Sequence, residues 1–180
     1  MSTVQKVNFE PVSPIESIHR RDVPLADPTL ASPDNAVCLV DGEWVTFNSS
    51  GKLVRATDVT ILGDAATTLS FPLFAERGRY DVQAMAERKM PILLLGQYEF
   101  ETRIFDVAAN INGSGNAAIN TMLQPLSVMT ITLGSRNYSG LVGRAFTSNV
   151  PIVGYVTRLP ASNGGRLRFI SGWAVQNGTT

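Results

Sequence analysis

Prolines are unevenly spread along this chain of 180 residues: five of its ten, Pro11, Pro14, Pro24, Pro28 and Pro33, fall in the first 35 positions. A proline fixes its own φ, lacks a backbone donor and pushes the residue before it toward extended conformations. That density forbids a long helix, although Ser13 can cap a short helical turn around Ile15 to Arg20. The stretch closes at the Asp34-Asn35 turn signal. Within it Val12, Ile15, Ile18, Val23, Leu25 and Leu30 are apolar residues without helical or strand period. The expectation is an extended, Pro-rich N-terminal arm over residues 1–35, with those six side chains as anchors on a neighbouring subunit. The alternative is an arm laid over its own domain. On the first reading, a chain lacking residues 1–35 keeps a folded domain.

From Ala36 onward short β-type runs alternate with Gly, Asn and Asp, so residues 36–180 are expected to form one all-β domain, a small barrel or sandwich. Ala36 to Val40 and Glu43 to Phe47 flank Asp41-Gly42, the dipeptide that most readily accepts the positive φ of a hairpin turn. Ser49-Ser50-Gly51 then turns into Lys52 to Ala56, completing a predicted three-strand meander. Further strands are expected at 70–75, 80–84, 91–95, 97–105, 128–133, 138–146, 151–159 and 166–170. The run 91–95 is continuously apolar and reads as buried on both faces. Gly140 and Gly143 suggest a bulge or a close backbone approach. In 97–105, Tyr98, Phe100, Thr102 and Ile104 alternate with Glu99, Glu101 and Arg103, the pattern of a half-buried strand.

Hydrophobic residues make up 44% of the chain, enough for a core, while Lys plus Arg equals Asp plus Glu at 15 each. Only 17% of residues are charged, against about 25% in an average soluble domain. A neutral, charge-poor chain lacks the basic face that nucleic-acid binding requires. The densest basic region, Arg77, Arg79, Arg88 and Lys89, is diluted by Glu76, Asp81 and Glu87. The start of the chain is polar and no apolar run reaches membrane-spanning length, so neither a secretory leader nor a membrane span is expected. The single cysteine, Cys38, lies among apolar neighbours and reads as a buried core thiol. In a reducing cytoplasm the Asn-x-Ser/Thr matches at Asn48, Asn112, Asn137 and Asn177 are turn chemistry.

Catalytic groups are scarce. The single histidine, His19, lies in the proline-rich arm, which disfavours a Ser-His-Asp or Cys-His arrangement and a zinc site alike. Glu99 and Glu101 share a strand face, as paired carboxylates for acid–base work or calcium do. Arg103 continues that face, so a solvated ladder of cross-strand ion pairs is the favoured reading. No cofactor or metal is expected. Trp44, Trp173 and Tyr98 are the rings that a carbohydrate-binding module would need exposed.

Three groups of residues resemble the head decoration (cement) proteins of tailed bacteriophages and related β-barrel virion proteins. They are Asp41-Gly42-Glu43-Trp44-Val45-Thr46-Phe47 with Gly51 to Arg55; Phe71 to Phe74 with Arg79 to Gln83; and Ile152 to Thr157 with Gly165 to Ile170. The resemblance spans about residues 36–172 as a style of pattern. It implies a non-enzymatic protein of the capsid surface, assembled in the host cytoplasm, that binds the major capsid protein and forms a homotrimer. It carries no catalytic residues. A tail or baseplate adaptor, a minor capsid protein and a carbohydrate-binding module remain alternatives.

Overall fold

The computed structural model describes residues 9–14, 20–31, 38–56, 70–72, 89–93, 97–106, 125–143, 152–160 and 165–174. They form an all-β structure of antiparallel sheets. The strands are β1 (Phe9–Pro11), β2 (Arg20–Pro24), β3 (Trp44–Phe47), β4 (Leu53–Arg55), β5 (Ser70–Pro72), β6 (Lys89–Leu93), β7 (Glu99–Thr102), β8 (Pro125–Leu133), β9 (Arg136–Gly143), β10 (Ile152–Arg158) and β11 (Leu167–Ala174). A six-stranded sheet runs β1-β7-β11-β10-β8-β9, β3 sits between β4 and β5, and β2 pairs with β6.

The large sheet curls but does not close into a barrel. After β7 the Thr102 hydroxyl accepts the Ile104 amide at 3.0 Å and the chain bends away. Phe105 then makes a parallel bridge with Leu141 of β9, at the opposite side of the sheet. One short segment thus serves both ends of the strand order. Phe105 enters the main core with Phe100, Phe169, Trp44 and Val156, whereas Ile104 joins Ile131 and Val142 in a small cluster of its own.

The β8–β9 hairpin is long and regular, paired from Leu126↔Gly143 to Leu133↔Arg136. Gly134 takes the first place of its two-residue turn with φ 66, the positive φ that a primed turn needs there. Of the two readings of Gly140 and Gly143, a bulge or a close approach, the β8–β9 register shows no bulge and Gly140 marks a close approach, where a Cβ would stand 2.3 Å from Ile131 Cδ1. The register shifts lie between β10 and β11. The Asp41-Gly42 turn also forms, with the Glu43 amide donating to the Val40 carbonyl at 3.1 Å. Its expected first arm is not a strand over 38–40, while residues 36 and 37 lie outside the described set. The reason is that β4 and β5 occupy both hydrogen-bonding edges of β3. The expected meander therefore does not form: β3 and β4 pair, and β5 takes the other edge of β3 in place of the expected first strand.

The N-terminal segment departs most from expectation. β1 runs antiparallel to β7, with Pro11 opposite Phe100, and β2 runs antiparallel to β6, with Arg20 opposite Leu93. Between those pairs the N-terminal side advances nine positions (11 to 20) and the other side seven (93 to 100), so both stretches follow nearly one register. Leu25 then forms a parallel bridge to Leu53, and the Ala26 amide donates to the Leu53 carbonyl at 3.0 Å. Residues 9–11 and 20–26 thus pair with all three sheets of their own chain, the alternative of an arm laid over its own domain. Phe9 belongs to the main core, and Val23, Leu25 and Ala31 belong to a second core with Leu39, Val45, Leu53, Met90 and Ile92. A short 3₁₀ turn, Pro28–Ala31, follows. Asp27 caps it by accepting the Thr29 amide at 2.9 Å, with Pro28 at the first helical position.

Candidate functional site

The six apolar residues expected to meet a neighbour have different fates. Val23 and Leu25 are buried in their own chain and cannot serve an outside partner as placed. Alternation along β2 turns Val23 inward, between exposed Asp22 and Pro24. Leu30 is half-buried against the same second core. Val12 remains exposed at 38%. Ile15 and Ile18 lie outside the described residues. Of the other large apolar side chains described, Leu133 at the β8–β9 tip is exposed at 37%.

Two polar constellations stand out. On the outer face of the large sheet, Glu101 of β7 gathers three guanidinium groups. Arg168 of β11 donates to Glu101 Oε1 through Nε at 3.0 Å and Nη2 at 2.8 Å. Arg158 of β10 donates to the same oxygen, and Arg166 Nη1 lies 3.7 Å from Oε2. Arg166 also pairs with Glu10 of β1. The Thr157 hydroxyl donates to Glu99 Oε1 at 2.8 Å. The hydrogen bond from Arg168, then the charges of Arg158, Arg168 and Arg166, hold the Glu101 carboxyl below its ordinary range against the opposing effect of burial. A carboxyl held ionised in this way has no proton to donate near neutral pH. Of the cross-strand ion pairs expected on the face of Glu99 and Glu101, those of Glu101 form, with cations from β10, β11 and the residue before β11, whereas Glu99 is held by the Thr157 hydroxyl. Arg103, expected to continue that face, is exposed beyond the end of β7.

The second constellation lies where the three-stranded sheet meets the β8–β9 hairpin. Glu43 has a fully buried side chain (0% exposed) and pairs with Arg55 Nε at 2.7 Å. Its oxygens also accept the amides of Val40 at 2.9 Å and Ser139 at 3.2 Å. Arg55 Nη2 donates to the Cys38 carbonyl at 3.2 Å, and Arg136 donates to the same oxygen. The Arg136 guanidinium also lies over the Tyr138 ring, 5.0 Å from its centroid. Ser139 Oγ donates to the Trp44 carbonyl. A carboxylate taken from water survives only with such a set of donors. The node joins β3, β4, β9 and the residues before β3, and so holds two sheets in one relation. Nothing in the sequence singled out Glu43 or Arg136. Their only signal is a charge set within otherwise apolar or small-polar strands.

Cys38 is buried, with Arg136 Nη2 3.6 Å from its sulfur. Asn48 is a turn residue: its Oδ1 accepts the Ser50 and Lys52 amides at 3.0 and 2.9 Å. Asn137 instead lies in β9, where the Thr132 hydroxyl donates to it at 2.8 Å. Trp44 is buried against Phe169, so it is no stacking platform for a sugar, and Tyr98 is half-buried. The side chain of Trp173 is outside the described set. Among the described residues no three His, Cys, Asp or Glu side chains gather as a metal site requires, and no helix is long and apolar enough to cross a membrane. No protein-family model, curated protein or solved structure matches the chain.

Proposed function

We propose that this chain is a non-enzymatic structural protein of a virus particle, a head decoration protein that binds the major capsid protein and copies of itself, as a homotrimer. The resemblance of its β segments to that class suggests the role, and one feature of the fold carries it. The charges of both clusters, one on the outer face of the large sheet and one interior, are compensated within the chain, Glu101 and Glu10 by Arg158, Arg166 and Arg168, and Glu43 by Arg55. Each cluster ties separate strands together and stiffens the body. A stiff body suits a protein that works by burying area across joints between subunits, where many copies multiply a modest contact.

The test is immunogold electron microscopy, with antibody against this chain, on particles purified from cells that produce it. Label over the head surface is expected. Label confined to the tail or baseplate moves the role to an adaptor there. Purified particles free of the protein overturn the virion assignment.

A further inference from the structure

We propose that β1 is an exchangeable strand, and that the socket it fills accepts β1 of a second copy of this chain. This deepens the self-association part of the reading above.

The observations concern what holds β1 and what remains without it. β1 is a three-residue edge strand, paired on one side with β7. The Phe9 ring stacks on Phe100 with centroids 5.0 Å apart and planes at 28°. Its other wall is Gly42, where a Cβ would come within 2.6 Å of Phe9 Cβ. Glu10 is clamped by Arg166, the Val12 amide donates to the Glu99 carbonyl at 2.8 Å, and Ser13 Oγ accepts the Glu99 amide at 2.8 Å. All of these partners lie at position 42 or beyond.

The socket walls also hold one another. Phe100 packs on Phe169 at 5.8 Å and on Tyr98 at 6.4 Å, and Gly42 sits in the turn closed by the Glu43 amide. Arg166 keeps Glu101 when Glu10 leaves. The socket is therefore a receptor for a short Phe-Glu-Pro strand, independent of which copy supplies it.

Exchange forms the same ladder, stack and ion pair between copies that β1 forms within one, so the contacts themselves do not discriminate. The intrachain strand keeps only the advantage of its tether, equivalent to an effective concentration of about millimolar. Pro11 and Pro14 fix their own φ and keep the residues before them extended. Packing of copies at such local concentrations brings the two arrangements into balance.

Two single-cysteine forms of the full chain test this, Glu10→Cys and Glu101→Cys, each in a Cys38→Ala background. These positions face each other in the β1–β7 register, at the spacing that suits a disulfide. The forms are mixed at about millimolar total concentration, oxidised, and resolved without reductant. A covalent 10–101 dimer, in at least several-fold excess over the homodimer of either form alone, is the expected result. Absence of that excess overturns the exchange. Because Glu101→Cys weakens the ion cluster, light scattering of the unaltered chain supplies a second measurement. Mass must rise above the monomer with concentration, and a monomer throughout also overturns the proposal. Both measurements use no virus particle, so their failure is distinct from failure of the microscopy.

Discussion

At the scale of single residues, Gly42 and Gly51 separate two costs that usually come together. Both have positive φ, 82 and 71, where a Cβ costs about 1–2 kcal/mol. At Gly51 nothing lies within 4 Å, whereas at Gly42 the Cβ meets Phe9, and overpacking adds about 1–3 kcal/mol. Gly51→Ala is therefore expected to lower stability by about 1 kcal/mol and Gly42→Ala by about 3, read from denaturant midpoints. Equal losses would show that Phe9 is not seated on the turn. Glu43 provides a second residue-scale case. Replacing it with Gln keeps the shape but removes the buried charge that Arg55 faces, at a cost of about 3 kcal/mol. The double substitution Glu43→Leu with Arg55→Met, which removes both charges together, is expected to recover part of that loss in the same assay, the Val40 and Ser139 amides having lost their acceptor. A Glu43→Gln protein as stable as the parent would count against the buried pair.

At the scale of elements, close backbone contact decides where a strand tolerates a side chain. Gly154 lies beside a register shift between β10 and β11, and a Cβ there would stand 2.6 Å from the Ile170 carbonyl oxygen. A backbone atom cannot rotate away. Gly154→Ala is therefore expected to cost about 2 kcal/mol. Gly172→Ala in β11, with open space around its Cβ position, is expected to be nearly neutral by thermal unfolding. Similar melting points for the two variants would reject the tight β10–β11 contact. The alternation expected over 97–105 holds as far as Thr102, because side-chain direction follows from strand geometry alone: Phe100 and Thr102 are buried and Glu101 faces the ion cluster. Beyond the bend at Thr102 it fails, with Phe105 in the core of Phe100 and Ile104 in a separate cluster. The Asp-Gly turn was legible for its φ but not for its partner strands. Turn chemistry is local, whereas pairing on β3 is a competition, and β4 and β5 won both edges.

At the scale of the whole molecule, the N-terminal lacing reverses what deletion should do. Without residues 1–35 the chain loses β1, β2, Phe9, Val23 and Leu25. Buried side chains of this size contribute about 1.5–3 kcal/mol each, against a total stability of about 5–15 kcal/mol. The truncated chain is expected to lack a cooperative unfolding transition by circular dichroism, and an unchanged transition would restore the free-arm reading. The outer ion cluster contributes to the pH profile of the intact chain. Glu101 is held below its ordinary value of 4.5, so its contribution is complete above that value and is lost as pH falls through the lower folded value. Glu101→Gln should flatten this part of the acid limb, and an unaltered limb would assign the acid sensitivity elsewhere. What the sequence determined by itself is the all-β class, most strand positions, the glycine turns and the inward and outward faces. Each follows from φ preference or from the two-residue period of a strand, which need no knowledge of the neighbour. Only the tertiary structure decided that the proline-rich segment is a strap, that Glu43 is interior, and that Glu101 draws its cations from β10, β11 and Arg166. Those outcomes depend on which distant backbone edges and charges come together, and proline content limits the shape of a segment without naming the surface it lies on.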